Sequence, residues 1–279
     1  MRAAAADARN SRRVTISLIP CGCEPFLARR KASSHCRASR GIGLAIAKSV
    51  AEAGAETILA SRSVEVLERE AKALRDQGLN ASSLKVDMAN EASVAEAAKE
   101  SGDIDILINV AGTNVRKNFA DYTPEEDTRI WETNLHGIVR LTRKIGAGMV
   151  ERGKGGKIIH IGSLASLLGL PYLTVYAMTK SALGGLTHTL AAEWGRHNIQ
   201  VNCICPGFII TDLNRDMWQP QIMQDWLKGG QGMPRTGTPE DIAPLAVFLS
   251  SPGSDYITGQ LIAVDGGFTT TAVWPFEPK

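Results

Sequence analysis

Ile104-Asp105-Ile106-Leu107-Ile108-Asn109-Val110-Ala111-Gly112 decides the fold. The run is apolar without a polar-apolar alternation, so it reads as a strand covered on both faces, the habit of a parallel sheet held between helix layers. Working outward, the same rhythm of helix then strand repeats from Gly41 onward. Upstream, Ile42 to Ala53 is an Ala-rich amphipathic helix stopped by Gly54, and Thr57-Ile58-Leu59-Ala60 is the strand it feeds. Val64 to Gln77 is a charged helix closed by Gly78, followed by a strand from Ser83 to Val86 that ends at Asp87, and by a helix from Glu91 to Glu100. Downstream, a long helix covers Pro124 to Ile138 and a second continues through Met149. Then come a strand from Lys157 to Ile161, a helix from Tyr176 to Arg196, a strand from Ile199 to Ile204 and a final strand from Gln260 to Val264. The expected architecture is a doubly wound α/β domain.

Length and composition agree with one such domain: 279 residues, 44% apolar and 22% charged. A net charge of +2 gives no reason to expect nucleic acid as a partner, and no apolar run reaches the 18 or so residues of a membrane span. A soluble protein is expected. Five cysteines form no disulfide framework, and Cys203 and Cys205 alternate along a strand as core residues, so a reducing, cytoplasmic compartment is the default. Cys21, Cys23, His35 and Cys36 match no common zinc spacing, and no metal is expected.

The chemistry gathers at Tyr176-Ala177-Met178-Thr179-Lys180. Four residues apart on a helix, a phenol and an ammonium project from one face, and the fixed cation favours the phenolate form of an acid/base catalyst. Alone this spacing is weak evidence. It gains weight from Ser163 in Ile161-Gly162-Ser163, at the carboxyl end of a strand, where open α/β sheets place their ligands. Asn109-Val110-Ala111-Gly112 ends another strand, Asn134-Leu135-His136-Gly137 lies in a helix, and Cys205-Pro206-Gly207-Phe208-Ile209-Ile210-Thr211 follows a third strand.

In this order and at these separations, with Ser163 lying 13 residues before Tyr176, these motifs resemble the short-chain dehydrogenase/reductase family from Gly41 to about Phe268. The resemblance implies a single Rossmann-type sheet and an oxidoreductase that interconverts a carbonyl and an alcohol on a small molecule with a nicotinamide cofactor. It implies that Tyr176 is the general acid in reduction and the base in oxidation, and that Ser163 orients the substrate oxygen. Lys180 would bind the nicotinamide ribose and lower the tyrosine pKa, and Asn134 would hold a water of the proton relay. Around the cofactor it implies Arg40, Gly41, Ile42 and Gly43 at the nucleotide loop, Asp87 at the adenine, Asn109, Ala111 and Gly112 at the strand end, and Pro206, Gly207, Ile209 and Thr211 near the carboxamide. The second strand ends in Ser61-Arg62 with no carboxylate to repel a 2′-phosphate, and Arg62 and Arg40 can pair with phosphate bidentately, so NADP(H) is expected over NAD(H).

The amino end departs from the family. Where a Gly-rich loop should follow an apolar first strand, only Gly41 and Gly43 remain, Cys36 and Arg37 stand at the Thr and first Gly positions, and Arg29 to His35 reads as no central strand. Residues 1–35 are therefore read as an irregular basic extension and 36–279 as the Rossmann domain, with the first strand displaced or missing. Either Val14-Thr15-Ile16-Ser17-Leu18-Ile19 supplies the strand, or the first few dozen residues arise from a misassigned exon or shifted frame, the reading favoured here, or they form an Arg-rich organellar transit peptide. Weak or absent activity is expected relative to a version with an ordinary first strand.

Other residues carry smaller expectations. Arg116 and Lys117 follow the Asn109 to Gly112 strand end in wording similar to gluconate 5-dehydrogenase-like and tropinone-reductase-like members, so a cation there either holds a substrate carboxylate or sits in a solvated loop. Met217, Trp218, Met223 and Trp226 fall where the family carries a substrate lid, and either line an apolar pocket or pack on a partner subunit. His136, His188 and His197 read as packed or surface histidines. A sugar acid such as gluconate or 5-ketogluconate is the favoured substrate. The alternatives are a 3-oxoacyl carrier-protein reductase, docked through Arg140 and Arg143, and a silent chain kept as a binding or oligomerisation module. A homodimer or homotetramer through helices 128–149 and 176–196 follows from the resemblance.

Overall fold

A computed structural model describes residues 40–211 and 214–272, together with the backbone of 31–35. Among the described residues seven parallel strands form one sheet, and each is joined to the next through helix. In chain order the elements are β1 (Lys31–His35), α1 (Gly41–Glu52), β2 (Glu56–Ser61), α2 (Val64–Arg75), β3 (Ala81–Lys85), α3 (Glu91–Glu100) and β4 (Ile106–Asn109). There follow α4 (Pro124–Trp131), a π-helical turn over Glu132–His136, α5 (Gly137–Arg152), β5 (Gly156–Ile161), α6 (Thr174–Trp194), β6 (Ile199–Pro206), α7 (Gln221–Gly230), α8 (Pro239–Ser250) and β7 (Leu261–Val264). The spatial order is β3-β2-β1-β4-β5-β6-β7, so the direction of winding reverses between β1 and β4.

The pleat sorts the core. In β4, Ile106 and Ile108 face α1 and α8 with Ile46, Val50, Ile242 and Leu249, while Leu107 faces the opposite layer of α3, α5 and α6 with Val94, Leu141 and Leu183. Leu59 of β2 packs under Ala47 of α1 and Leu67 of α2. Of the strand expected from Ile104 to Asn109, Ile106–Asn109 forms β4 and is buried throughout, as is the strand expected from Lys157 to Ile161, and Cys203 and Cys205 are buried free thiols on β6.

One expectation is corrected. Lys31–His35 occupies the central place, paired parallel with β2 (Lys31 opposite Glu56) and with β4 (Ala32 opposite Ile106). The polarity of its side chains argued against a central strand. Ladder pairing, however, is made by backbone N–H and C=O groups, and a gap there would leave those of β2 and β4 without partners. Among the described residues the sheet thus begins at Lys31, within the segment read from the sequence as an irregular extension. Val14 to Ile19, Cys21, Cys23, Cys36 and Arg37 lie outside the described residues.

The helix expected over Pro124 to Ile138 and its successor are one rod with a π-helical turn at Glu132–His136 in place of a break. Thr123 starts it through a capping box with Glu126, and Pro124 takes the first turn, where its missing N–H costs nothing.

Candidate active site

Where the winding reverses, the carboxyl ends of β4, β5 and β6 open onto a cleft of about 530 Å³. Ser163 leaves β5 and caps a short 3₁₀ turn, Leu164–Ser166, its Oγ accepting from the Ala165 N–H at 3.1 Å. The Ser166 hydroxyl accepts from the Ser163 N–H (3.2 Å) and donates to the Lys180 carbonyl (2.8 Å), tying the serine loop to α6. Lys180 is 3% exposed, and its Nζ donates to the Ile161 carbonyl at 2.7 Å and to the Ala111 carbonyl at 3.4 Å. That ammonium lies 5.8 Å from the centre of the Tyr176 ring, one helical turn away on the same face. Ser163, Tyr176 and Lys180 all line the cleft. The phenol, ammonium and hydroxyl singled out in the sequence therefore share one cavity.

Asn134 sits in the π-helical turn, fully buried. Its Oδ1 accepts from the Thr113 N–H at 2.7 Å, and its Nδ2 donates to the Thr113 carbonyl at 2.8 Å and to Thr179 Oγ1 at 3.2 Å. The side chain clamps the backbone that follows β4 and lines neither cavity directly.

Three glycines let backbone approach. Gly41 has φ +57 and opens α1 toward the cleft, where a Cβ would come 3.3 Å from Thr211 Cγ2. At Gly112 a Cβ would come 3.4 Å from Lys180 Nζ, and at Gly207 one would strike the Asp265 backbone at 2.6 Å. With Ile42 and Gly43 at the amino end of α1 and Arg40 beside them, the cleft offers backbone N–H groups and positive charge, the chemistry that receives a pyrophosphate.

A second cavity of about 230 Å³ is lined by Ser61, Arg62, Asp87 and Ala111, and shares Gly112 and Thr113 with the first. The two adjoin. Together they suit an elongated two-part ligand such as a dinucleotide.

A family model described as Enoyl-(Acyl carrier protein) reductase matches residues 37–269. The chain belongs to the short-chain dehydrogenase/reductase family. It is 34% identical over 238 residues to gluconate 5-dehydrogenase of Gluconobacter oxydans, covering 84% of this chain and 93% of that one. It is 37% identical over 236 residues to a tropinone reductase homolog of Arabidopsis thaliana, covering 83% and 89%. The crystal structure of a gluconate 5-dehydrogenase from Burkholderia cenocepacia in complex with NADP and tartrate superposes with a TM-score of 0.85 at 36% identity, covering 89% of this chain and 98% of that one. The protein is an oxidoreductase of this family, acting on CH–OH groups of small molecules with a nicotinamide cofactor.

In this short-chain dehydrogenase, Arg40, Gly41, Ile42, Gly43, Pro206, Gly207, Ile209 and Thr211 line the larger cavity, and Arg62, Asp87 and Ala111 line the smaller. Asn109 does not line either. It shares its face of β4 with Leu107, so its Nδ2 donates to Thr142 Oγ1 of α5 (3.1 Å) and meets His160 Nδ1 of β5 (3.2 Å) under the sheet. Burial first, then the charge of Lys180, push the His160 imidazole down to about 3. No helix among the described residues is long and apolar enough to cross a membrane.

On the far wall Phe208 packs against Trp218 (ring centres 5.0 Å), Trp226 (5.3 Å) and Phe268 (4.9 Å). Met217 and Trp218 face the cleft, whereas Met223 and Trp226 do not line it. Arg116 lines the cleft too and donates to the Met217 thioether. Sequence reasoning passed over Thr113, Asn214, Arg129 and Thr133. Asn214 accepts from the Thr211 N–H at 2.8 Å and donates to the Ile209 carbonyl at 2.8 Å, holding the loop after β6. An Asn three residues after Thr211 was the available signal, a side chain suited to local turns.

Proposed function

We propose that this chain is an NADP(H)-preferring reductase or dehydrogenase of a small polyhydroxylated carboxylate, of the gluconate and 5-ketogluconate class. One observation carries the substrate class: Arg116 enters the cleft with only the soft Met217 thioether as side-chain partner among the described residues, none of whose carboxylates pairs with it. A substrate carboxylate fills that need, through the bidentate geometry a guanidinium favours. The NADP complex of the Burkholderia relative and the cationic pair Arg40 and Arg62 support the cofactor preference.

When bound, the cofactor supplies or accepts a hydride at the carbinol carbon. Tyr176 gives its phenolic proton to the substrate oxygen in reduction and takes it back in oxidation. Lys180, fixed by the Ile161 and Ala111 carbonyls, keeps a positive charge beside the phenolate that remains. The Ser163 hydroxyl donates to the same oxygen and orients it. Asn134 acts through Thr113, whose backbone it holds at the junction of both cavities, and is the residue through which we propose a relay water is positioned.

Arg140, proposed for carrier-protein docking on sequence grounds, is engaged by Glu132 (2.6 Å) and by Glu91 (3.7 Å), which favours the small-acid reading. The unpaired Cys203 and Cys205 thiols fit a reducing, cytoplasmic setting. The assembly proposed is a homodimer or homotetramer through α4, α5 and α6.

The test is NADPH oxidation with 5-ketogluconate, an uncharged keto sugar and a carrier-bound 3-oxoacyl thioester. Arg116→Ala should raise KM for 5-ketogluconate at least tenfold and leave the uncharged sugar unaffected, and Tyr176→Phe should remove turnover of both. Preference for the thioester, or an equal effect of Arg116→Ala on both sugars, overturns the substrate reading.

A further inference from the structure

Arg129 has no part in the chemistry described above, yet it lines the smaller cavity with Arg62, Asp87 and Thr133. Arg129 and Thr133 are four apart, so one face of the α4 rod is turned to the cavity. Arg62 enters from the end of β2 and Arg129 from α4. Two cations therefore flank the cavity, against the one carboxylate of Asp87, one of whose oxygens already accepts from the Ala89 N–H at 3.1 Å.

The ordinary fate of a helical arginine is an ion pair with an acid three or four residues away. Here both acids at three residues are taken, and Glu125, four residues back, is drawn to the Thr123 side chain at the start of the helix. Glu126 is bound by Lys117 Nζ at 2.5 Å and by the Thr123 N–H at 2.9 Å. Glu132 is bound by Arg140 at 2.6 Å and by His136 at 2.8 Å. Among the described residues no side-chain hydrogen bond or ion pair holds either Arg62 or Arg129. The helix thus presents a guanidinium whose charge is felt by Glu126 but which that carboxylate does not bind, at a cavity that shares Gly112 and Thr113 with the catalytic cleft.

We infer that Arg129 is a specificity-determining residue that, opposite Arg62, pairs with the 2′-phosphate of an adenosine cofactor and so discriminates the phosphorylated from the unphosphorylated dinucleotide. The inference rests on the NADP(H) reading above and deepens it. A phosphate monoester carries nearly two charges and three acceptor oxygens, so it can engage two guanidinium groups at once, whereas a ribose hydroxyl engages neither strongly.

The test is binding of NADPH and NADH to the full chain by nucleotide fluorescence, with competition by 2′,5′-ADP and by AMP, for wild type, Arg129→Ala and Arg129→Lys. Arg129→Ala should weaken NADPH and 2′,5′-ADP about tenfold, with NADH and AMP within about twofold, and Arg129→Lys should recover part of the loss. An equal loss for all four ligands assigns Arg129 to the base or to folding and overturns the inference, as does no loss at all. If wild type binds NADH as tightly as NADPH, the cofactor reading fails and this inference with it. If wild type prefers NADPH and Arg129→Ala keeps that ratio, only this inference fails. Circular dichroism of each variant separates misfolding from a change in recognition.

Discussion

Replacing Asn134 with aspartate changes one atom of the side chain's outline and reverses its chemistry. Nδ2 donates to the Thr113 carbonyl at 2.8 Å and to Thr179 Oγ1 at 3.2 Å. An ionised oxygen there confronts the carbonyl with like partial charge. The threonine offers no relief, because its hydroxyl proton is already given to the Tyr176 carbonyl at 2.7 Å. Two hydrogen bonds at about 1 kcal/mol each, plus about 1–3 kcal/mol for a buried acceptor left unmet, give a loss of about 3–5 kcal/mol. For a chain of this size that is roughly 10 °C in melting temperature.

The loss depends on pH with a definite sign. A protonated carboxyl restores one donor, and burial disfavours the ion, so in Asn134→Asp the folded-state pKa of the new group is raised above the unfolded value of about 3.9. Its stability contribution is then present at low pH and lost as pH rises through the raised value. Thermal melts of wild type, Asn134→Asp and Asn134→Ala at pH 5 and pH 8 read this directly. The gap between Asn134→Asp and wild type should widen at pH 8, while that of Asn134→Ala stays constant. A melting temperature for Asn134→Asp equal to wild type at pH 8 would show that the clamp on Thr113 is not made as described.

His160 gives a second pH dependence. With its folded pKa held to about 3, the unfolded chain alone takes up a proton as pH falls below about 6.5, so stability should fall on acidification by at most about 1.4 kcal/mol per unit, and His160→Gln should flatten the difference in urea midpoint between pH 7.5 and 5. At Gly137 a Cβ would collide with the Met88 carbonyl, so Gly137→Ala should destabilise by about 3 kcal/mol or more, and a variant that melts like wild type contradicts the packing of the rod on the loop after β3.

Much of this molecule can be read without coordinates, and the reasons differ by residue. Ile106, Leu107 and Ile108 announce a strand covered on both sides because each neighbour must be apolar there. Tyr176, Lys180 and Ser163 were legible because helical and strand periodicities convert spacing into direction. Asn109 shows the same rule in reverse: its motif places it at a strand end, but the pleat turns its amide down toward Thr142 and His160. The π-helical turn under Asn134 has no signature in propensity, since an i→i+5 bond is a local response to packing. Lys31 to His35 escaped because hydropathy reports side chains, and the ladder is built from backbone. Arg129 escaped because only the three-dimensional fate of Glu126 and Glu132 shows that their charges are committed elsewhere.

The middle of the sheet is occupied by lysine, alanine, two serines and histidine, flanked by a β4 whose every residue is buried. Its place in the strand order makes β1 the junction of two half-sheets. Arg62 and Asp87 hang from the half built on β2 and β3, Ser163 and Lys180 from the half built on β5 and α6. A molecule long enough to touch both acts as a suture across that junction, adding about 2.7 kcal/mol at a hundredfold excess over its dissociation constant. Deuterium uptake by the amides of Lys31 to His35 should therefore slow more on cofactor addition than uptake in the interior of β5, because the ligand ties together the two halves that meet there.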